Sequence, residues 1–98
     1  MAGTRVTVRN VNHPGRTGTV EKPRYDAVME AMLEALPRAE PGLTQEEMVN
    51  AVKVRLPGDL FPDGAKAGWW TKTVQLDLEA RGLVKRSRTR PLRWRRAQ

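Results

Sequence analysis

The sequence lacks cysteine and contains one histidine, His13, among its 98 residues. The absence of thiols excludes a disulfide framework and a thiolate metal site, and a lone histidine argues against a structural zinc site or a Ser-His-Asp triad. Long apolar runs are also missing, since no segment approaches the roughly 18 residues of a membrane span, and the first residues lack the apolar core of a signal peptide. We therefore expect a cytoplasmic protein with no membrane partner, no enzymatic activity and no metal or other cofactor.

The apolar residues make up 39% of the sequence, which is an ordinary fraction for a folded domain. A chain of this length can build one hydrophobic core but not two, so we expect a single domain over residues 1–98. Eighteen Lys and Arg residues stand against eleven Asp and Glu, for a net charge of +7. This excess favours an anionic partner.

The positive charge is concentrated at the two ends of the sequence. Residues 1–20 carry three arginines and no acid, for +3, and residues 81–98 carry eight bases and no acid, for +8. Residues 21–80 carry seven bases and eleven acids, for −4. An excess confined to the ends indicates a local positive field rather than an evenly mixed surface.

The first twenty residues have the pattern of a strand followed by a turn. Polar and apolar side chains alternate over residues 4–9, which predicts a strand with one buried face. Asn10–Gly18 is rich in Asn, Pro and Gly and predicts a loop that can close a hairpin onto Thr19–Val20. His13–Gly18 is also a candidate phosphate cradle, but a plain turn is preferred because the segment lacks the lysine and the spacing of a P-loop.

The first helix is predicted over residues 23–36. Pro23 suits its first turn, and Pro37 follows its last periodic residue. The apolar stripe consists of Tyr25, Val28, Met29, Met32, Leu33 and Leu36. Their spacing is that of one buried helix face.

A second helix begins near Gln45, because Thr44 and Glu47 have the spacing of a capping box. Its apolar stripe continues to Leu56, after which Pro57–Gly58 stop it. The loop 57–64 follows, in which Leu60 and Phe61 are expected to contact the core.

A third helix is predicted over residues 65–81, with Gly82 as its left-handed C-cap. Its main stripe is Ala67, Trp70, Val74 and Leu78. Trp69 and Leu76 form a second stripe on nearly the opposite side, so the helix is expected to be covered on two sides. Either the N-terminal strand or a second subunit can supply that cover. The Trp69–Trp70 pair also suggests a ligand cage, but core packing is the preferred interpretation.

The chain closes with a predicted basic hairpin. Leu83–Arg86 and Leu92–Arg95 have the pattern of short strands, and polar residues separate them. Trp94 alternates with arginines, and burial against the core is favoured over base stacking.

Two stretches resemble winged helix-turn-helix transcription regulators. Val74–Arg86 resembles the junction between recognition helix and wing, where a leucine and an acid precede a Gly-Leu-Val turn. Thr44–Glu47 resembles the opening of the first helix of the helix-turn-helix. The loop 57–64 is longer than the three or four residues of a compact helix-turn-helix.

The whole chain also resembles a family of small uncharacterised bacterial proteins, through Pro14–Thr17 and Gly64–Trp70. The two resemblances together imply an α+β winged helix-turn-helix domain. Residues 1–20 would form the N-terminal strand and loop, 21–82 the three-helix core and 83–96 the wing.

The winged-helix resemblance implies that the third helix enters the major groove and that the wing contacts neighbouring DNA. Thr71, Lys72 and Gln75 share a polar arc of that helix and are the base-contact candidates, although such an arc is also an ordinary solvated surface. Lys66 lies near the helix start and is a phosphate candidate. The wing candidates are Lys85, Arg86, Arg88, Arg90 and Arg93.

The sequence therefore predicts a module that binds nucleic acid, with double-stranded DNA favoured over RNA, and a small transcriptional regulator as one possible role. The alternative is a protein-interaction or assembly module without nucleic-acid affinity. In that case the stripe of Trp69 and Leu76 would be an interface, for example in a homodimer.

Overall fold

A computed structural model describes residues 4–97, so both ends of the predicted domain, residues 1–3 and residue 98, lie outside the described part. Residues 4–97 form three helices and two small antiparallel sheets, which makes the fold α+β. The elements are β1 (Arg5–Arg9), β2 (Thr17–Glu21), α1 (Lys22–Ala35), β3 (Leu43–Thr44), α2 (Gln45–Lys53), α3 (Ala67–Ala80), β4 (Val84–Ser87) and β5 (Arg93–Arg96). A single 3₁₀ turn, Pro62–Gly64, precedes α3.

The predicted N-terminal hairpin is confirmed. Strands β1 and β2 pair antiparallel, with Val6 opposite Val20 and Val8 opposite Gly18. Because side chains alternate along a strand, the valines share the face that packs on the core. Val8 and Val20 are buried there. The segment β1, Asn10–Arg16 and β2 is called the N-terminal hairpin below.

Helix α1 lies close to its predicted position. It ends at Ala35 because Leu36 is extended, with ψ 133°, as expected for a residue that precedes proline. Val28 and Met32 are completely buried in the core that α1 forms with α2 and α3.

Helix α2 begins with the predicted capping box. The Thr44 hydroxyl accepts a hydrogen bond from the Glu47 amide at 3.2 Å, and the Glu47 carboxylate accepts one from the Thr44 amide at 2.9 Å. The second bond lowers the pKa of Glu47. The prediction that the helix continues to Leu56 is wrong, because α2 ends at Lys53. The chain tightens there into a turn in which the Arg55 amide reaches the Val52 carbonyl.

Helix α3 begins at Ala67, two residues after its predicted start. The left-handed backbone of Lys66, with φ 59°, cannot continue an α-helix and sets this boundary. The predicted C-cap is confirmed, since Gly82 has φ 79°. The Gly82 amide donates to the Glu79 carbonyl and the Leu83 amide to the Leu78 carbonyl, which is a Schellman motif.

The second sheet has the order β3-β5-β4. The sequence predicted β4 and β5 but not β3, which pairs Leu43 with Trp94. Gly42 precedes β3 with φ 94°, and a Cβ at this position would collide with the Trp94 carbonyl. Trp94 is buried, as predicted. The segment β4, Arg88–Leu92 and β5 is called the C-terminal hairpin below.

The core lies between the three helices, and both hairpins close it. Phe61 is buried against Trp70 in an edge-to-face contact with ring centroids 5.9 Å apart. The loop after α2 is thus attached to the core, as predicted. None of the helices within residues 4–97 has the length and apolar character needed to cross a bilayer.

Candidate nucleic-acid interface

The acids and bases that form ion pairs are distributed over the whole fold. Within residues 4–97 the pairs are Lys22–Asp26, Arg24–Glu21, Arg55–Glu34, Arg81–Asp77, Arg86–Glu79 and Arg93–Glu47. Apart from Arg38 and Lys53, the other bases lie on the two hairpins or in the first turns of α3. They are Arg5, Arg9, Arg16, Lys66, Lys72, Lys85, Arg88, Arg90, Arg95 and Arg96. The positive charge is therefore concentrated on the hairpins and the start of α3.

The unpaired acids lie elsewhere. Among the described residues they are Glu30, Glu40, Glu46, Asp59 and Asp63, on α1, α2 and the connecting segments. The unpaired acids thus lie on other elements than the unpaired bases of the two hairpins, and the candidate interface is the set of unpaired bases on the hairpins and at the start of α3.

The tip of the C-terminal hairpin carries exposed basic side chains. Arg88 and Arg90 are exposed in the segment between β4 and β5, and Lys85 is exposed on β4. None of the three has an acidic partner within residues 4–97. Their charges are available to a polyanion.

Arg86 does not project from this tip, contrary to the prediction. Its guanidinium donates to both carboxylate oxygens of Glu79, at 2.9 and 3.1 Å, and lies 5.5 Å from the ring centre of Trp94. Arg86 shares a strand face with the buried Val84, because residues two apart on a strand point the same way. That face points toward α3 and away from solvent.

Arg93 is also occupied within the fold. Its guanidinium donates to the Gly42 carbonyl at 3.1 Å and approaches the Glu47 carboxylate at 3.4 Å. Arg93 therefore helps to hold β5 against the start of α2. A phosphate would have to compete with these partners.

The predicted polar arc of α3 is only partly accessible. Lys72 is exposed, but Thr71 and Gln75 are completely buried, so the prediction that they contact base edges is corrected. For Gln75 the reason is the C-terminal hairpin, whose strand β4 packs against α3. The Gln75 amide donates to Glu79 at 2.8 Å, and Glu79 is the residue that holds Arg86.

Lys66 has the position expected of a phosphate contact. It is exposed, and it occupies the N-cap position of α3 without capping the helix with its side chain. The first amides of a helix favour negative charge, and the lysine adds its own charge there.

The second apolar stripe of α3 is divided by the N-terminal hairpin. Leu76 is 9% exposed, because Val8 and Gly18 of the hairpin lie around it. Trp69 remains 54% exposed and packs edge-to-face on Trp70, with centroids 5.2 Å apart. The N-terminal hairpin is thus the cover of Leu76, and the only member of the predicted dimer stripe left open is Trp69.

The exposed side of Trp69 lines a cleft with a volume of about 610 Å³. Leu60 and Trp70 form apolar parts of its wall, and Lys66 lies at its edge. Arg24 also borders the cleft, but it is held by the Leu60 carbonyl at 3.0 Å and by Glu21.

A buried carboxylate that sequence reasoning missed ties the N-terminal hairpin to α3. Asp77 is completely buried and accepts hydrogen bonds from the Tyr25 hydroxyl, from the Arg9 amide at 2.8 Å and from the Arg81 guanidinium at 2.9 and 3.0 Å. Arg81 also donates to the Thr7 carbonyl at 3.0 Å. The only sequence signal was an acid four residues before an arginine.

The two side chains that donate to Asp77, Tyr25 and Arg81, both have raised pKa values and so keep the protons that they donate. Burial, followed by the bond to Asp77, raises the pKa of Tyr25 and keeps its hydroxyl protonated. The hydrogen bond to Asp77 raises the pKa of Arg81. Asp77 therefore has a neutral donor from α1 and a cationic donor from its own helix.

The turn of the N-terminal hairpin uses its own backbone groups. The His13 amide donates to the Asn10 carbonyl, and the Arg16 amide donates to the His13 carbonyl, both at 3.0 Å. These bonds are those of a plain turn. Within residues 4–97, no three histidine, aspartate or glutamate side chains are grouped to hold a metal ion.

No curated protein and no solved structure matches the chain. Residues 5–94, which include both hairpins and all three helices, match a family of unknown function, DUF6958. The chain belongs to that family.

Proposed function

We propose that this protein is a winged helix-turn-helix module that binds double-stranded DNA, mainly through the phosphates. The observation that carries the proposal is the exposed and unpaired charge of Arg88, Arg90 and Lys85 on the C-terminal hairpin. Folded proteins commonly balance surface charge locally, whereas phosphate binders leave a one-sign patch.

The order of elements supports the winged-helix assignment. Helix α1 is followed by β3, α2, α3, β4 and β5, in the sheet order β3-β5-β4 and with β4 packed on α3, which is the arrangement expected if the C-terminal hairpin is a wing. Two features are additional to this pattern. They are the N-terminal hairpin and the long connection of residues 54–66 between α2 and α3.

The start of α3 extends the basic surface. Lys66, next to the first turn of the helix, and Lys72, in its second turn, are both exposed, and the helix dipole favours phosphate at the first turn. The second half of α3 is enclosed by the hairpins. A contact restricted to lysines and hairpin tips gives affinity with little sequence preference.

The test is fluorescence anisotropy of a labelled random-sequence duplex at several salt concentrations. If about six phosphates are contacted, the affinity falls roughly 10³-fold between about 50 and 200 mM salt. The double variant Arg88→Gln/Arg90→Gln should bind more weakly and lower the log-log salt slope by about 2, one for each lost contact. The matched control, Arg38→Gln/Lys53→Gln, removes the same charge from residues outside the tip of the C-terminal hairpin.

The two double variants separate a local contact from the effect of net charge. The proposal requires that the hairpin variant bind more weakly and with a shallower log-log salt slope, while the affinity and the slope of the control stay equal to those of the parent within error. Equal losses in the two variants would assign binding to overall charge. No binding of the parent at low salt would refute the DNA-binding function, and stronger competition by structured RNA would assign the surface to RNA instead.

The exposed indole of Trp69 favours a second candidate, a protein-interaction module. A half-exposed tryptophan at the edge of an apolar cleft is typical of a binding hot spot. Sedimentation of the parent and of Trp69→Ala tests self-association. Loss of a dimer on substitution, in a protein without duplex affinity, would establish this function in place of the first.

A further inference from the structure

We propose that the solvent-facing side of the N-terminal hairpin is a β-ribbon that reads base edges in the DNA major groove. This proposal rests on the DNA-binding function proposed above and names the element that supplies its sequence preference. The face consists of Arg5, Thr7 and Arg9 on β1 and of Thr17, Thr19 and Glu21 on β2.

Base reading by the middle of α3 is blocked in this fold. Thr71 and Gln75 are completely buried, and Leu76 is covered by the N-terminal hairpin. A recognition helix needs several adjacent exposed side chains to read neighbouring base pairs. Lys72 is the one predicted base contact that remains accessible on α3.

The N-terminal hairpin has the geometry that α3 lacks. In its register Thr7 lies opposite Thr19, and Arg9 lies opposite Thr17. All four are exposed and share the face turned away from the valines of the core. A two-stranded antiparallel ribbon fits the major groove and presents such a row of side chains to the base edges.

The chemistry of this face suits base edges. Arginine donates two parallel hydrogen bonds to guanine, and threonine offers a hydroxyl and a methyl group to several bases. The Arg5 guanidinium is bound to Thr19, at 3.0 Å from its hydroxyl and 2.7 Å from its carbonyl. The Arg9 guanidinium has no such partner among the described residues, which makes Arg9 the principal reader.

The charge of the ribbon also matches DNA. Arg16 lies in the turn that joins the strands, and it adds to the charges of Arg5 and Arg9. The one acid on either strand, Glu21, is at the end of β2 and is paired with Arg24. A phosphate backbone that flanks the ribbon therefore meets no unpaired acid there.

The ribbon is held rigidly, which base reading requires. The Arg9 amide donates to the buried Asp77, and Arg81 bridges Asp77 to the Thr7 carbonyl. At the other end of β1, the Lys22 amide donates to the Thr4 carbonyl at 2.8 Å. These bonds use the backbone of β1 and leave the side chains of the outer face to a ligand.

The experiment compares the full-length parent, Arg9→Lys, Arg9→Gln and the charge control Arg38→Gln. Each protein is used to select preferred duplexes from a random-sequence library, and its affinity for the unselected random duplex is measured alongside. Arg9→Lys keeps the charge but loses the planar fork. Because the Arg9 side chain is exposed, all four proteins should give the same circular dichroism spectrum.

The parent is expected to select a motif that contains guanine. Arg9→Lys should bind random duplex within about twofold of the parent yet lose roughly 5- to 150-fold of the discrimination at one base pair of that motif. Arg38→Gln should leave the motif unchanged.

Two results would refute base reading by the ribbon without refuting the DNA-binding function. One is salt-dependent binding of the parent without any selected motif, and the other is an unchanged motif in both Arg9 variants. If the parent fails to bind any duplex, the proposed function fails and the ribbon fails with it. Tighter binding to A-form RNA would also overturn the ribbon, because the major groove of that helix is too narrow to admit it.

Discussion

Replacement of Asp77 by asparagine is expected to destabilise the protein and to loosen its N-terminal hairpin in particular. Among the described residues Asp77 is the one charged side chain completely removed from solvent. Asparagine keeps the shape but removes the charge that the Tyr25 hydroxyl and the Arg81 guanidinium bind. The amide can still accept a bond from the Arg9 backbone, so the fold should survive.

The magnitude follows from the exposure of the partners. Loss of one member of a buried pair costs about 3–5 kcal/mol of unfolding free energy when the other charge stays buried. Arg81 is 33% exposed, and water can therefore solvate part of its charge in the variant. We expect about 3 kcal/mol for Asp77→Asn, which is a fall in Tm of roughly 12–24 °C for a domain of this size.

Urea and thermal unfolding followed by circular dichroism measure the loss, and amide hydrogen exchange locates it. Exchange of the Arg9 amide should accelerate most, because its acceptor is the residue that is changed. Asp26→Asn is the control, since its ion pair with Lys22 is half exposed and worth about 0.5 kcal/mol or less. Equal stability of the two variants, or unchanged protection of the Arg9 amide, would refute the assigned role of Asp77.

Three further predictions test other local features. Tyr25 is the one tyrosine, so tyrosinate absorbance reports a single group. Its pKa is raised in the folded state. Its contribution to stability is therefore complete below about pH 10 and is lost as the pH rises further. Tyrosinate that forms near pH 10 in a protein with a native circular dichroism spectrum would contradict this. Gly42→Ala should lower the unfolding free energy, measured in urea, by at least about 2 kcal/mol, because the new Cβ meets the Trp94 carbonyl. Gly15 also has a positive φ but lies in open space, so Gly15→Ala should cost only about 1 kcal/mol. Thr44→Ala should cost about 0.5–2 kcal/mol through loss of the cap, and Thr44→Ser should restore most of it; no difference between these two would show that the cap contributes nothing.

The elements that were predicted correctly depend on residues that lie close together in the sequence. The capping box of Thr44 and Glu47 and the C-cap at Gly82 each depend on residues within one turn of chain. The valine alternation of the N-terminal hairpin is local in the same sense. In contrast, β3 has two residues, Leu43–Thr44, and is a strand only because β5 pairs with it. No local pattern predicts such a partner.

The site was less predictable than the fold, because a helical wheel shows which residues share a face but not what covers that face. Thr71 and Gln75 are polar and adjacent on the wheel of α3, yet both are completely buried in the folded protein. Arg86 and Arg88 are both arginines, yet Arg86 lies within β4 on the face that turns to Glu79, whereas Arg88 lies beyond the end of the strand. Asp77 was missed for a similar reason. Two of its three donors, Arg9 and Tyr25, are distant in sequence, and only Arg81 is local.

The burial of α3 has a consequence for how affinity and specificity are divided in the proposed complex. A helix enclosed by two hairpins cannot insert deeply into a groove, so the energy of binding must come from the elements that enclose it. The C-terminal hairpin presents Arg88 and Arg90 from the connection between its strands, outside the β4–β5 pairing, which suits phosphates that tolerate varied geometry. The N-terminal hairpin is fixed through Asp77, and base edges require such fixed donors. Asp77→Asn should therefore weaken sequence preference more than random-duplex affinity at a temperature where the variant remains folded. The opposite ranking would place the specificity elsewhere.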